Sequence, residues 1–306
     1  MQGFPLPSGL PMVSCIIPTR NRPELVTRAV KSALMQRWEP LEVIVVVDGP
    51  DDRTVQALSS IDDDRLRVEV LPESVGGGEA RNIGVHLARG EWIGFLDDDD
   101  EWLPEKIYAQ MRIALDWHTQ RVVICPRMYV KSPKGPGRVL PQRDPDRGES
   151  ISEYLLMRRK LTGETQIQTS SFLTSKALLL EIPWDNTLKK HQDLDLYLKW
   201  DAAGVDFIFI PDILSIWYVH QAQRSVSNDN DWQYSVRWAE QNAHLFKGGS
   251  LAGFIASQVA MRAFERASLR TVAGVFQALH KHGARYLDYL IALAALGVRV
   301  KQRALL

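Results

Sequence analysis

Cysteine and long apolar runs are both scarce in this chain of 306 residues, and each scarcity excludes a class of protein. The two cysteines, Cys15 and Cys125, lie in apolar segments, so we expect buried thiols rather than a disulfide framework or a thiolate metal site. No apolar run approaches the roughly 20 residues that a membrane-spanning helix needs. The first residues also lack the basic and apolar regions of a secretory signal. We therefore expect a cytoplasmic protein in a reducing compartment.

Neither sign of charge predominates, because 37 basic residues balance 37 acidic ones. A net charge of zero gives no electrostatic support for nucleic-acid binding, so no nucleic-acid partner is expected. The distribution is nevertheless uneven, since the segment from Lys247 to the end holds nine basic residues and two acidic ones. The sequence thus joins an acidic body to a basic tail.

Four apolar runs alternate with helical patterns along the N-terminal third of the chain. The runs are Val13–Ile17, Leu41–Val47, Leu66–Val70 and Trp92–Leu96. This alternation predicts an α/β fold with a mostly parallel sheet flanked by helices, and from Asp231 onward the pattern is helical only. Ligands of such sheets bind beyond the carboxyl ends of the strands, where polar residues follow three of the four runs.

The middle of the chain is less regular than its beginning. Lys131–Glu149 is rich in proline, glycine and charge, which predicts a loop. Thr165–Leu173 alternates polar residues, among them Gln168 and Ser170, with apolar ones. That alternation predicts a strand whose polar side faces a binding site.

The most informative motif is the run Asp97-Asp98-Asp99-Asp100, which directly follows the fourth strand. Adjacent carboxylates repel one another, and burial raises their pKa values further, but a divalent cation reverses this penalty. Mg²⁺ and Mn²⁺ prefer oxygen ligands, and Mg²⁺ commonly takes one or two carboxylates together with substrate phosphate oxygens. The alternative is a solvated acidic turn that caps the next helix.

Polar residues also follow the first and second strands. Pro18 and Arg20 end the first run, and Asp48 ends the second. The Asp48 carboxylate can accept hydrogen bonds from a nucleobase or a ribose, although Asp-Gly is also ordinary turn chemistry. Gly76–Gly78 leads into a helix whose first N–H groups favour anions, and Arg81 follows within reach of a phosphate or an acidic partner.

Two further candidates lie later in the chain. Asp193 and Asp195 open an amphipathic helix, where one acid can serve as a general base while the other stabilises the helix N-terminus. The alternative is that both acids only cap the helix. His220 follows an apolar strand, and a single histidine in such a place is either a ligand or a structural hydrogen-bond donor.

Together these segments resemble family 2 of the inverting, nucleotide-sugar-dependent glycosyltransferases, which have the GT-A fold. The matching segments are Val13–Arg22, Glu42–Gly49, Ala80–Gly84, Gly90–Asp100 and Gln192–Leu196. The resemblance implies a GT-A-type, Rossmann-like catalytic domain over residues 1–228 and a helical C-terminal extension over residues 229–306. The catalytic domain would comprise a nucleotide-sugar half at residues 12–125 and an acceptor half at residues 126–228.

The resemblance also implies roles for individual residues. The residues of the donor pocket would be Pro18, Arg20, Asp48, Arg81, Asp97 and Asp98. Asp48 would face the base and Asp97 the ribose, while Asp99 would bind the cation, Mn²⁺ or Mg²⁺. His220 falls where some members contact the diphosphate or the metal. Asp193 would be the catalytic base, although Gln192 stands where the family usually has glutamate.

The implied activity is transfer of a sugar, with inversion, from a nucleoside-diphosphate sugar to an acceptor hydroxyl. By family frequency the nucleotide is UDP, and the glycan or lipid-linked acceptor belongs to cell-surface polysaccharide, lipopolysaccharide or glycolipid synthesis. The Gln-x-x-Arg-Trp motif of processive members does not follow Asp193, which predicts single addition. Two alternatives stay open: a sugar-phosphate nucleotidyltransferase, and a non-catalytic module that binds a nucleotide sugar or glycan.

The basic tail contains a segment of helical periodicity. One predicted face collects the apolar residues Leu287, Leu290, Ile291, Ala294 and Val298, with basic residues beside it. A basic amphipathic helix can lie on an anionic membrane, which predicts peripheral contact with the inner face of the membrane. The alternative is a helix that packs on the catalytic domain or on a second subunit of a homo-oligomer.

Overall fold

The computed structural model of the chain describes residues 9–133, 135–219, 231–264 and 268–303, and for residues 298–303 it describes the backbone alone. Contacts within the chain group the residues into two compact units. Unit 1 comprises Met1–Leu140, Ile167–Thr187 and Val205–Gln221, and unit 2 comprises Pro141–Gln166, Leu188–Gly204 and Ala222–Leu306. This grouping does not test the domain boundaries inferred from the sequence, which stay a prediction.

Unit 1 is built on a mixed sheet, which has nine strands in the described part of the chain. The strands are β1 (Val13–Thr19), β2 (Leu41–Val47), β3 (Leu66–Val70), β4 (Trp92–Phe95), β5 (Glu101–Trp102), β6 (Val122–Lys131), β7 (Arg138–Leu140), β8 (Leu173–Ser175) and β9 (Asp206–Tyr218). Their order along the sheet is β3-β2-β1-β4-β8-β6-β9-β5, and β7 pairs with β6. The first four strands are parallel, as the sequence predicts, whereas β8 runs antiparallel to both β4 and β6.

The parallel half of the sheet consists of buried strands, which explains its unbroken apolar runs. Every residue of β2 is buried. The helices of unit 1 are α1 (Pro23–Leu34), α2 (Asp52–Ser59), α3 (Gly77–Leu87), α4 (Lys106–Asp116) and, after one helix of unit 2, α6 (Lys176–Glu181). Pro23 opens α1, and the side chain of Asp51 accepts a hydrogen bond from the Thr54 amide to cap α2. Cys15 and Cys125 are buried free thiols, as expected.

Two sequence-based expectations for the middle of the chain are wrong in part. Thr165–Leu173 does not form a strand, because residues 163–168 are irregular and a turn follows before β8 begins at Leu173. Lys131–Glu149 is not loop throughout, since β7 lies within it and pairs with residues 128–130 of β6. Polar alternation alone cannot distinguish a strand from a turn whose side chains face one site.

Unit 2 is helical in the part of the chain that the structure describes. Its helices are α5 (Ile151–Leu156), α7 (Gln192–Ala202), α8 (Trp232–Gln241), α9 (Ser250–Phe254), α10 (Ala260–Ala263), α11 (Leu269–Lys281) and α12 (Tyr286–Arg303). A π-helical turn, Ile255–Val259, joins α9 to α10. One core cluster includes Trp238, Phe254 and Val275, so helices from both the middle and the end of the chain share an apolar core.

Helix α12 buries part of the predicted apolar face, including Ile291, together with residues beside it. Its buried residues are Asp288, Ile291, Ala292 and Ala295, and the three apolar ones belong to the core of unit 2. Ala294, which the sequence places on the apolar face, is exposed, and the side chain of Val298 lies outside the described residues. The packed-helix alternative thus describes this face. None of the described helices is long and apolar enough to cross a membrane.

Candidate active site

The aspartate run follows β4 at the carboxyl edge of the parallel strands, and its four side chains alternate in exposure. Asp98 and Asp100 are buried. Between them, the Asp97 and Asp99 side chains keep 28% and 22% of their surface exposed. A solvated acidic turn would expose most of its carboxylates, so the run is an organised structure with two residues facing inward and two accessible.

Asp98 is fixed by residues that follow β1. Its carboxylate accepts hydrogen bonds from Thr19 Oγ1 at 2.7 Å and from a guanidinium nitrogen of Arg22 at 2.8 Å. Burial raises the pKa of Asp98, and the charge of Arg22 opposes that effect. The same Arg22 nitrogen lies 3.3 Å from the Asp99 carboxylate, so one guanidinium contacts both residues.

Asp100 is fixed from the opposite side by two residues of the turn before β8. Its Oδ2 accepts hydrogen bonds from Gln168 Nε2 and from Ser170 Oγ, both at 2.7 Å. Its Oδ1 accepts from the backbone amide of Tyr218 on β9, at 3.1 Å. Burial, followed by the charge of Asp97, raises the pKa of Asp100 well above its usual range.

Asp97 shares these partners and adds an ion pair. Gln168 Nε2 donates to its carboxylate at 3.0 Å, and the Asp97 amide donates to Ser170 Oγ at 2.9 Å. Arg81 pairs with the same carboxylate at 2.5 Å and lies 5.0 Å from the centre of the Trp184 ring. The acidic partner foreseen for Arg81 is therefore Asp97. Gln168 and Ser170, which the sequence associates only loosely with a site, position both Asp97 and Asp100.

The accessible carboxylates, Asp97 and Asp99, are the type of ligand that a divalent cation requires. Asp97 and Asp99 are the two ends of an Asp-x-Asp pattern, and carboxylate oxygens are the ligands that Mg²⁺ and Mn²⁺ prefer. Such ions commonly bind one or two protein carboxylates and complete their shell with water and substrate phosphates. Among the described residues, no group of three or more histidine, cysteine or acidic side chains is arranged to hold a metal.

Asp48 lies at the end of β2 and holds the loop that precedes α3. Its carboxylate accepts hydrogen bonds from Ser74 Oγ at 2.9 Å and from the amides of Val75 and Gly76, at 2.6 Å for Val75. Arg20 donates to Ser74 Oγ at 2.7 Å, so Asp48 and Arg20, two of the predicted donor-pocket residues, contact the same serine. These contacts agree with the turn role that the Asp-Gly pair also predicts, and contact with a base stays a prediction.

The other predicted site residues are Pro18 in unit 1, Asp193 in unit 2, and His220. Pro18 is partly exposed on β1, next to Thr19. In unit 2, Asp193 is exposed on the first turn of α7, whereas Asp195 is buried and pairs with Lys199 at 2.6 Å. The structure thus separates the two acids, one accessible and one structural. His220 lies outside the described residues.

Comparison with known proteins agrees with this architecture. The family model for glycosyl transferase family 2 matches residues 14–181, which is more than half of the chain. The amylovoran biosynthesis glycosyltransferase AmsB of Erwinia amylovora is 28% identical over 234 residues, which cover 74% of this chain and 76% of AmsB. The succinoglycan biosynthesis protein ExoO of Rhizobium meliloti is 38% identical over 98 residues, which cover 32% of this chain and 28% of ExoO.

Solved structures add a comparison of the fold. Residues 1–349 of TarS from S. aureus, crystallised in complex with UDP-GlcNAc, match with a TM-score of 0.64 and 19% identity over 96% of this chain and 92% of that one. The chain spans only 53% of the longer TarS chain. The mixed sheet with flanking helices is therefore the GT-A fold of TarS. On the family match, the fold and the relatives together, the chain is a glycosyltransferase that belongs to glycosyl transferase family 2.

Proposed function

We propose that this enzyme transfers a single sugar, with inversion, from a UDP-sugar to a hydroxyl of a glycan or lipid-linked acceptor during cell-surface polysaccharide synthesis. The observation that carries the proposal is the alternating exposure of Asp97–Asp100 at the carboxyl edge of the parallel strands. Relatives named for amylovoran and succinoglycan biosynthesis support the polysaccharide, and the UDP-GlcNAc complex of TarS supports the donor class.

Asp99 is the residue that would hold a divalent cation, Mn²⁺ or Mg²⁺, and Asp97 beside it would face the ribose. When bound, the cation supplies Lewis-acid stabilisation of the negative charge that develops on the leaving diphosphate. The chain's own contribution is to keep these carboxylates in place before the donor arrives. Gln168 and Ser170 do so for Asp97, and Arg22 contacts Asp99.

We assign the general base to Asp193. Its side chain is exposed on the first turn of α7, whereas Asp195 is buried and pairs with Lys199. Asp193 would take the proton of the acceptor hydroxyl as that oxygen attacks the anomeric carbon and the nucleoside diphosphate leaves from the opposite face. One displacement of this kind inverts the anomeric configuration. General-base action typically contributes about 10²–10⁴-fold to the rate.

The reaction product tests the proposal and its alternatives. A thermal-shift panel of UDP-sugars with Mn²⁺ identifies the donor, and that donor is then incubated with enzyme and a bacterial lipid extract. We expect release of UDP, and ¹H NMR of the product should show the opposite anomeric configuration. Release of pyrophosphate from a nucleoside triphosphate and a sugar phosphate, or donor binding without release of UDP for any acceptor tested, would contradict the proposal.

Substitutions then assign the base. Asp193→Asn should keep donor binding and lose about 10²-fold or more in kcat. Asp62→Asn, an exposed carboxylate outside the predicted site, is the matched control and should keep the parent rate. A near-normal kcat for Asp193→Asn would place the base elsewhere.

We also propose that the enzyme works in the cytoplasm at the inner face of the membrane, through its basic C-terminal helices. Because the buried face of α12 belongs to the core of unit 2, the contact would rest mainly on charge. The enzyme should float with vesicles that contain anionic phospholipid and not with neutral vesicles, and replacing Arg299, Lys301 and Arg303 by glutamine should abolish flotation. Equal behaviour on both vesicles would rule out this contact, and a concentration-dependent mass by light scattering would favour the homo-oligomer.

A further inference from the structure

His191, the residue before α7, has a backbone conformation that few side chains adopt. Its φ is +66°, in the left-handed region, which glycine adopts readily and which only a few per cent of other residues adopt, although asparagine, aspartate and histidine occur there more often than the rest. In the described part of the chain, Asn21 is the other non-glycine residue with positive φ. A histidine persists in this conformation only when the surrounding structure fixes it.

The C-terminal helices of unit 2 provide that fixation. The His191 ring stacks on Trp238 of α8 with 4.9 Å between ring centres, and its edge contacts Phe254 of α9 at 5.1 Å. Its Nε2 lies 2.8 Å from Ser235 Oγ, which is also on α8. The ring is thus held by one stacked contact, one edge contact and one hydrogen bond. Burial lowers the pKa of His191 to about 4, so the ring is neutral near pH 7.

The backbone beside His191 is held in the same way. The amide of Lys189 donates to the hydroxyl of Tyr234, again on α8, at 3.3 Å. The His191 carbonyl accepts the first hydrogen bond of α7, from the Asp195 amide at 2.8 Å. Asp193 lies two residues after His191, in that first turn. The conformation of His191 therefore determines where α7 begins and how its first turn presents the Asp193 side chain.

We propose that His191 is a positioning residue, and that its contacts with α8 and α9 orient the Asp193 carboxylate for proton transfer. The inference rests on the proposed function, in which Asp193 is the general base. It gives the C-terminal helices a part in the reaction, because a ring contact from α8 reaches the turn that carries the base. A misplacement of about 1 Å at a reacting group can lower a rate by roughly 10²-fold, so modest loosening should be measurable.

Steady-state kinetics of four variants test the proposal with the donor found above. Ser235→Ala removes only the hydrogen bond to the ring, and His191→Ala removes the ring itself. His191→Asn keeps a residue that tolerates positive φ, so it should recover part of the rate that His191→Ala loses. His244→Asn, an exposed histidine of the same unit, is the matched control. We expect kcat to fall about threefold in Ser235→Ala and at least tenfold in His191→Ala, with donor KM unchanged.

Double variants distinguish positioning from general loss of structure. In an Asp193→Asn background, His191→Ala should lower kcat no further, because the carboxylate that it positions is already absent. An equal further loss in that background, or parent-like kcat in His191→Ala, would overturn the proposal. If Asp193→Asn itself keeps the parent rate, the assignment of the base fails instead, so the two failures are distinguishable. Ser235→Ala keeps the test informative if His191→Ala does not fold.

Discussion

Lys106, the first residue of α4, is a fully buried amine in the core of unit 1, and its replacement should stabilise the protein in a pH-dependent way. Its Nζ donates to Gln110 Oε1 at 2.8 Å and lies 4.1 Å from the centre of the Trp102 ring. Burial lowers the pKa of this amine from 10.5 to about 7. This lowering corresponds to ~5 kcal/mol of folding free energy.

The penalty depends on pH because only the unfolded chain binds this proton between about pH 7 and pH 10.5. Stability therefore rises with pH across this window, and below pH 7 the folded protein carries the full cost. Lys106→Met has a similar shape and no ionisable group. The substitution leaves Gln110 Oε1 without its donor, which offsets part of the gain, so we expect a net stabilisation of about 2 kcal/mol at pH 7. The gain should shrink by about 1.4 kcal/mol per pH unit as the pH rises towards 10.

Urea unfolding at pH 7.5 and pH 9.5 measures this change directly. The gain from Lys106→Met should be about 2.7 kcal/mol smaller at the higher pH. Lys31→Met, at an exposed position of α1, is the matched control, and its difference from the parent protein should be the same at both pH values. A gain from Lys106→Met that does not change with pH, or a loss of stability at both, would refute the reasoning.

Three further substitutions test contacts of the site and of unit 2. Gln168→Leu removes the amide that bridges Asp97 to Asp100, so steady-state kinetics should show a donor KM raised about tenfold; an unchanged KM would contradict the positioning role. Asp48→Ala leaves the amides of the loop before α3 without their acceptor, which should lower the free energy of unfolding in urea by about 1–3 kcal/mol. A cost near zero would mean that water replaces the Asp48 carboxylate as the acceptor. Asp288→Ala breaks the pair between a buried carboxylate and partly exposed Arg285, and it should cost about 2 kcal/mol in urea unfolding. Arg285→Gln should cost more, because it leaves the buried carboxylate without its charged partner, and parent-like stability of both variants would contradict the role of the pair.

The parallel half of the sheet could be predicted from the sequence because burial on both faces leaves a strong signal. Strands such as β2 consist of apolar residues alone or nearly so, and a polar residue follows directly where the strand meets the site. The aspartate run stands out for the same reason, since consecutive carboxylates after a buried strand are costly without a compensating ligand. These signals are local, and local signals survive in a single sequence.

The remaining features depend on long-range contacts that leave weak local signals. β8 has three residues, too few for periodicity, so its antiparallel pairing with β4 and β6 could not be predicted. Gln168 and Ser170 reach the aspartates from a turn, and the polar alternation around them resembles that of a strand. The apolar face of α12 was predicted only in part, because an apolar stripe does not encode the buried, Arg285-paired Asp288. The positive φ of His191 has no sequence signal, since histidine is ordinary before a helix.

We propose above all that Asp99 holds a cation together with the diphosphate of the donor. Isothermal titration calorimetry of UDP binding to the enzyme, in buffer with Mn²⁺ and then with EDTA, tests this role of Asp99 most directly. We predict that UDP binds in Mn²⁺, that EDTA weakens binding at least tenfold, and that Asp99→Asn weakens it similarly in Mn²⁺ while Asp62→Asn has no effect. UDP binding of equal strength in Mn²⁺ and EDTA, or in the parent enzyme and Asp99→Asn, would contradict the claim.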